Sequence, residues 1–195
     1  MPPTTHLLYL HGFRSSPQST KARQVGAWIA QQRPAVVWCC PHLPPSPKEA
    51  IEQVERATAA WPRDGMAVIG SSLGGFYAAV FAERAGCRAV LLNPAPQPAR
   101  DLAHYVGDLT AWHSDEPFVF RPEFIDELRA MTPAALTRPE RYRAIVAKGD
   151  EVLDWREMVA FMPPGADIEL IEGGDHAITD FEQRLPGVMR FLGLA

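Results

Sequence analysis

Met66-Ala67-Val68-Ile69-Gly70-Ser71-Ser72-Leu73-Gly74-Gly75 joins two patterns without a break. The first five residues are a continuous apolar run, as in a strand buried on both faces. Then comes Gly-x-Ser-x-Gly, Gly70 to Gly74, leading into the apolar run Phe76 to Ala82. Gly and Ser are common, and the bare pattern also fits an ordinary glycine-rich turn. A buried strand before it and a buried helix after it are the setting of a nucleophile elbow. There a sharp turn lifts a serine hydroxyl above the carboxyl edge of the sheet, at a helix N-terminus whose dipole favours developing negative charge. Only Ser72 has a glycine two positions before and two after, so Ser72 rather than Ser71 is the candidate nucleophile. The stretch 65–82 carries no charge and approaches the length of a membrane span. Its central glycines and serines make strand, turn and helix the better reading.

Strand and helix patterns alternate outward from this point. Strands are expected at His6–Leu10, Ala35–Cys39, Met66–Gly70, Arg88–Leu92, Arg143–Ala147 and Asp167–Ile171. Helices are expected at about Ser19–Gln32, from Ser46 onward, over Leu73–Arg84 and over Thr179–Leu192. Ser46-Pro47-Lys48-Glu49 has a capping box with proline in the first turn, and Thr179 with Glu182 makes a second box. Strands separated by helices imply βαβ units and a parallel sheet covered on both faces. The proline-rich stretch 41–47 is an extended connection. The stretch 93–142 is long for a crossover, and Trp112, Phe118, Phe120 and Phe124 make it too aromatic for a loose linker. It is expected to hold a small cap-like insertion, helical in part over Arg121–Met131, within a single domain spanning 1–195.

Composition sets the outer bounds. The chain has 195 residues, 47% of them hydrophobic and 22% charged, with a formal charge of −4. That suits one ordinary folded domain and excludes disorder as the main state. No clustered Lys/Arg run marks a nucleic-acid surface. Cys39, Cys40 and Cys87 neither make a disulfide framework nor fall at zinc spacing, and read as small core residues. The start of the chain lacks the pattern of a signal peptide, so a cytoplasmic setting is expected.

A serine hydroxyl needs a base, and the base needs an orienting acid. In the elbow class the chain order is Ser, then Asp or Glu, then His. Asp150 lies just past the fifth strand and His176 just past the sixth, both at carboxyl ends, where such sheets place their chemistry. Glu151 and Asp154 are alternative acids. Asp175 adjoins His176 and is expected in a turn or cap. His6, His42, His104 and His113 follow no late strand, and no metal-ligand spacing occurs. His11, in Leu10-His11-Gly12-Phe13, is expected to shape the loop after the first strand. The backbone N–H groups of Leu73 and Phe13 are the candidate oxyanion donors.

Leu8-Tyr9-Leu10-His11-Gly12-Phe13-Arg14-Ser15-Ser16-Pro17, with Ser19 and Lys21-Ala22, resembles the opening of the YqiA-type esterase family. Gly70 to Ala78, Asn93-Pro94-Ala95, Gly149 to Asp154 and Gly173 to His176 resemble its later blocks in the same order. The resemblance implies a small α/β-hydrolase fold and an esterase or thioesterase-like activity on acyl substrates. It implies Ser72 as nucleophile, Asp150 as acid and His176 as base, without metal or organic cofactor. The expectation is a serine hydrolase acting on a small-molecule acyl ester or thioester, with no nucleic-acid partner and no membrane span. An amide or C–C hydrolase on the same triad, or an idle binding protein of the same fold, are the alternatives. Oligomeric state is not written in the sequence.

Overall fold

The computed structural model describes residues 3–111 and 117–195. Trp112 and His113 lie outside the described residues. In chain order the elements are β1 His6–Leu10, α1 Thr20–Gln32, β2 Val37–Cys39, α2 Pro47–Thr58, β3 Met66–Ser71, α3 Leu73–Ala85 and β4 Arg88–Leu92. There follow α4 Pro98–Asp101, β5 Gly107–Thr110, β6 Pro117–Phe120, α5 Glu123–Met131, β7 Tyr142–Ala147, α6 Trp155–Phe161, β8 Asp167–Ile171 and α7 Phe181–Phe191.

Six strands form one parallel sheet in the order β2-β1-β3-β4-β7-β8. The order reverses beside β1 and β3, so βαβ crossovers cover both faces. The alternation of side chains along the strands divides the core accordingly. Leu8, Leu10, Val68, Leu91 and Val146 pack on the face of α2, α3 and α5. Leu7, Tyr9, Ile69, Val90 and Ile145 pack on the face of α1 and α7. Because both faces are covered, the central strands are apolar at successive positions. α3 is buried from Leu73 to Ala82, which explains why its sequence is apolar all round.

The outer strands are less buried than their apolar sequence suggests. β2 is an edge strand of three residues, and Val37 is 46% exposed. Cys39 and Cys40 are only half-buried there, while Cys87 is buried; all three are free thiols. Ser46 caps α2 by accepting from Glu49 N at 3.2 Å. The second expected box does not form. α7 begins at Phe181 with Asp180 in the cap position, and Thr179 instead hydrogen-bonds the Asp175 carboxylate through both N and Oγ1.

The stretch between β4 and β7 holds the helix expected near 121–131, as α5, whose Phe124, Ile125 and Leu128 are buried. It also holds an antiparallel pair, β5 with β6, where a helical insertion was expected. The period-two signal is in the sequence: Phe118 and Phe120 turn inward while Val119 is exposed. Phe13, from the loop after β1, stacks edge-on against Phe118 at 5.2 Å and Phe120 at 5.1 Å. Tyr105 completes the cluster at 5.7 Å. Among the described residues, no helix is long and apolar enough to cross a membrane.

Candidate active site

The turn from β3 into α3 is built by close approach of backbones. A Cβ at Gly70 would lie 2.0 Å from the carbonyl oxygen of Gly74, and one at Gly74 would lie 2.0 Å from that of Leu10. Both positions therefore admit only glycine. Between them Ser72 has φ 57° and ψ −122°, a conformation costing about 1–3 kcal/mol in a non-glycine residue. Ser72 N donates to Leu92 O at 2.9 Å, and Ser72 O accepts from Gly75 N at 2.8 Å and Ala95 N at 3.1 Å. These bonds hold the strained turn.

Two further loops converge on it. Gly149 N donates to Gly173 O at 2.7 Å, and a Cβ at Gly149 would stand 2.4 Å from Gly174 O. The loops after β7 and β8 are thereby pressed together. His176 Nε2 lies 3.0 Å from Ser72 Oγ, and His176 Nδ1 lies 2.7 Å from Asp150 Oδ2. The Asp150 side chain is fully buried, and its Oδ1 accepts from Val152 N and Leu153 N, each at 2.8 Å. A carboxylate so supplied with donors takes the imidazole N–H as a third. Nδ1 then carries the proton, and Nε2 faces Ser72 as an acceptor.

The acids of this region have separate partners. Glu151 Oε2 accepts from His176 N at 3.0 Å, and Asp154 caps α6 by accepting from Arg156 N at 2.9 Å. Hydrogen bonds to Thr179 hold the Asp175 carboxyl below the usual carboxylate range, against a smaller desolvation effect. The helix that Asp154 caps has no counterpart among the expected elements; Asp followed by Trp155 and the apolar Met158 was its signal.

His11 is 3% exposed. Leu43 N donates to its Nε2 at 3.0 Å, so Nδ1 holds the proton and faces Gly12 O at 3.0 Å. The ring thus ties the loop after β1 to the proline-rich connection. That loop borders Ser72: a Cβ at Gly12 would lie 3.8 Å from Ser72 Oγ. Lys21, on the first turn of α1, reaches over to donate to Ala177 O. Burial lowers its pKa to about 8, against the opposing pull of Asp175 and Asp150. By contrast, burial pushes the Cys40 thiol up to about 12, with Cys39 adding to the effect.

Ser72 and His176 open onto a cleft of about 810 Å³. Phe13, Leu73, Leu102, Tyr105 and Leu153 line part of it, and Ser19, Lys21 and Gln24 line another part. Phe118 and Phe120 stand behind Phe13 in the aromatic cluster rather than on the cleft wall. Among the described residues no group of three or more His, Cys, Asp or Glu side chains is placed to hold a metal ion.

Solved structures share this architecture at low sequence identity. A putative hydrolase from Agrobacterium vitis S4 matches with a TM-score of 0.76 at 17% identity, over 98% of this chain and 90% of its own. The mouse alpha/beta hydrolase domain-containing protein 10 matches with a TM-score of 0.72 at 16% identity, over 98% and 92%. Est1E of Butyrivibrio proteoclasticus, solved with ferulic acid, matches with a TM-score of 0.71 at 12% identity, over 96% and 87%. The fold is that of the α/β hydrolases. The family model of UPF0227, described as an uncharacterised protein family, covers residues 6–193, nearly the whole chain. The chain therefore belongs to UPF0227, the YqiA esterase family that its sequence blocks resemble.

Proposed function

We propose that this protein is a serine hydrolase of carboxylic esters or thioesters, working through Ser72, His176 and Asp150. The observation that carries the reading is the unbroken series Ser72 Oγ, His176 Nε2 at 3.0 Å, His176 Nδ1, Asp150 Oδ2 at 2.7 Å. His176 takes the hydroxyl proton as Ser72 Oγ attacks the acyl carbonyl. Asp150 keeps the proton on Nδ1 and stabilises the imidazolium. The oxyanion that forms is held by the N–H groups of Leu73, at the start of α3, and of Phe13, in the loop against Ser72. His176 then delivers its proton to the departing alcohol or thiol. Water, deprotonated by His176, attacks the acyl-enzyme, and His176 returns that proton to Ser72 Oγ as the acid leaves.

The volume of the cleft is in the range of sites for small organic ligands. Its apolar part suits a short or medium acyl chain. The test is hydrolysis of p-nitrophenyl acetate, butyrate and octanoate by wild type and Ser72→Ala, with an aminoacyl p-nitroanilide beside them. Ester turnover by the wild type alone supports the reading. Turnover of the anilide but not the esters would move the assignment to amide bonds. Equal ester turnover by Ser72→Ala would end it.

A further inference from the structure

Asn93 is the residue just past β4, in the middle of the sheet, and it is fully buried. Its φ of 41° is left-handed, a conformation that asparagine tolerates better than most side chains. Its side-chain amide serves three backbone groups at once. Nδ2 donates to Asp175 O at 3.0 Å and to His176 O at 3.1 Å. Oδ1 accepts from Ala147 N at 2.8 Å.

These partners lead to each member of the proposed triad. The two carbonyls belong to the loop that carries His176. Ala147 O in turn accepts from Asp150 N at 3.2 Å, so the amide holding Ala147 also sets the start of the Asp150 turn. The chain on either side of Asn93 holds the serine: Leu92 O accepts from Ser72 N, and Ala95 N donates to Ser72 O. We infer that Asn93 is the positioning residue of the site, a side-chain amide that fixes the His176 loop and the Asp150 turn to the strand bracing Ser72. The inference rests on the serine-hydrolase reading for its kinetic consequence, though not for its geometry.

The residue type follows from the partners. Two donors and one acceptor on so short a side chain are available only from asparagine. Aspartate has the shape and can keep the bond from Ala147 N, but as a carboxylate it offers no donor to the two carbonyls. Alanine removes all three bonds. A displacement of the imidazole by about 1 Å is enough to cost on the order of 100-fold in rate.

The experiment compares wild type, Asn93→Ala and Asn93→Asp with Val54→Ala, a buried core variant on α2 that does not line the cleft and serves as a stability control. Two readouts are taken: kinetics on p-nitrophenyl butyrate, and the low-field proton resonance of the His176–Asp150 hydrogen bond. The expectation for both Asn93 variants is a fall in kcat on the order of 10- to 100-fold with KM changed by less than about 3-fold. The low-field resonance should be lost or shifted in both and kept in Val54→Ala. A folded Asn93→Asp with wild-type kcat and an unchanged resonance overturns the inference. A third measurement does not need the variants to fold: the Nδ2 protons of Asn93 in the wild type should be protected from solvent exchange, and exchange at the free-amide rate also overturns it. If the wild type hydrolyses no ester, the serine-hydrolase reading falls, while the resonance and exchange data still decide whether Asn93 holds the loops.

Discussion

Glu151 accepts the backbone N–H of His176 at 3.0 Å, while its neighbour Asp150 takes the ring of the same histidine at 2.7 Å. Adjacent carboxylates thus hold one residue at two points. Their removal should have unequal effects. Asp150→Asn should lower kcat by roughly 10⁴, because an amide at that position stabilises the wrong tautomer. Glu151→Gln keeps an oxygen acceptor and should cost on the order of tenfold or less. Asp154→Ala should leave kcat unchanged and cost about 1 kcal/mol through the lost cap of α6. Steady-state kinetics and urea unfolding of the three variants check this; a larger kinetic loss at Glu151 or Asp154 than at Asp150 contradicts it.

Two glycines separate steric need from conformational need. Gly74→Ala places a methyl 2.0 Å from Leu10 O and 2.5 Å from His11 O, both backbone atoms with no room to yield. The expected loss exceeds about 4 kcal/mol, enough to prevent soluble expression. Gly173 has φ 74° but open space around its Cβ position. Gly173→Ala should cost about 1 kcal/mol, lowering Tm by about 2–4 °C for a chain of this size. Thermal unfolding distinguishes the two; a well-folded Gly74→Ala contradicts the packing account.

Lys21 gives the stability curve a sign. Burial brings its pKa down to about 8 in the folded protein, whereas an unfolded lysine titrates near 10.4. Below pH 8 the amine is charged in both states, and the folded state bears the full penalty. Between about pH 8 and 10.4 the unfolded state binds more protons, so stability rises with pH. Measured against Lys21→Met, the wild type should gain up to about 3 kcal/mol between pH 7 and pH 11. Urea unfolding of both proteins at several pH values tests it. A difference that stays flat, or falls, contradicts it.

The aromatic cluster around Phe13 links the β5–β6 pair to the loop beside Ser72. Phe120 is 1% exposed, and Phe120→Ala should cost about 3–5 kcal/mol. Val119 is 42% exposed, and Val119→Ala should fall within about 0.5 kcal/mol of the wild type. Phe118→Ala removes an edge-on partner of Phe13 and should lower kcat/KM for p-nitrophenyl acetate on the order of tenfold. Unchanged kinetics in Phe118→Ala would detach the β5–β6 pair from the candidate oxyanion loop.

What the sequence made legible was local or periodic. The apolar strand, the two glycines around Ser72 and the helix after it are contiguous, and their spacing sets a turn of known geometry. His176 and Asp150 could be named because strand ends in this fold class converge. Asp150, Glu151 and Asp154 lie in one short segment, so the residues alone leave Glu151 and Asp154 as alternatives to Asp150. They are separated by Val152 N and Leu153 N, which turn Asp150 toward the ring, and by Arg156 N, which takes Asp154. Thr179 showed a capping pattern, but Asp175 offered it nearer partners. The β5–β6 pair was obscured by its short strands, and the exposure of β2 by its edge position. Asn93 stood out only as part of the Asn93-Pro94-Ala95 block, and its role had no signal because its partners at 147, 175 and 176 are remote in the chain.

The central claim is that Ser72 is an activated nucleophile. The most direct measurement is the intact mass of the protein after exposure to a fluorophosphonate, with Ser72→Ala treated alongside. A single adduct on the wild type and none on Ser72→Ala is the predicted result. No adduct on the folded wild type, or an equal adduct on Ser72→Ala, would contradict the account.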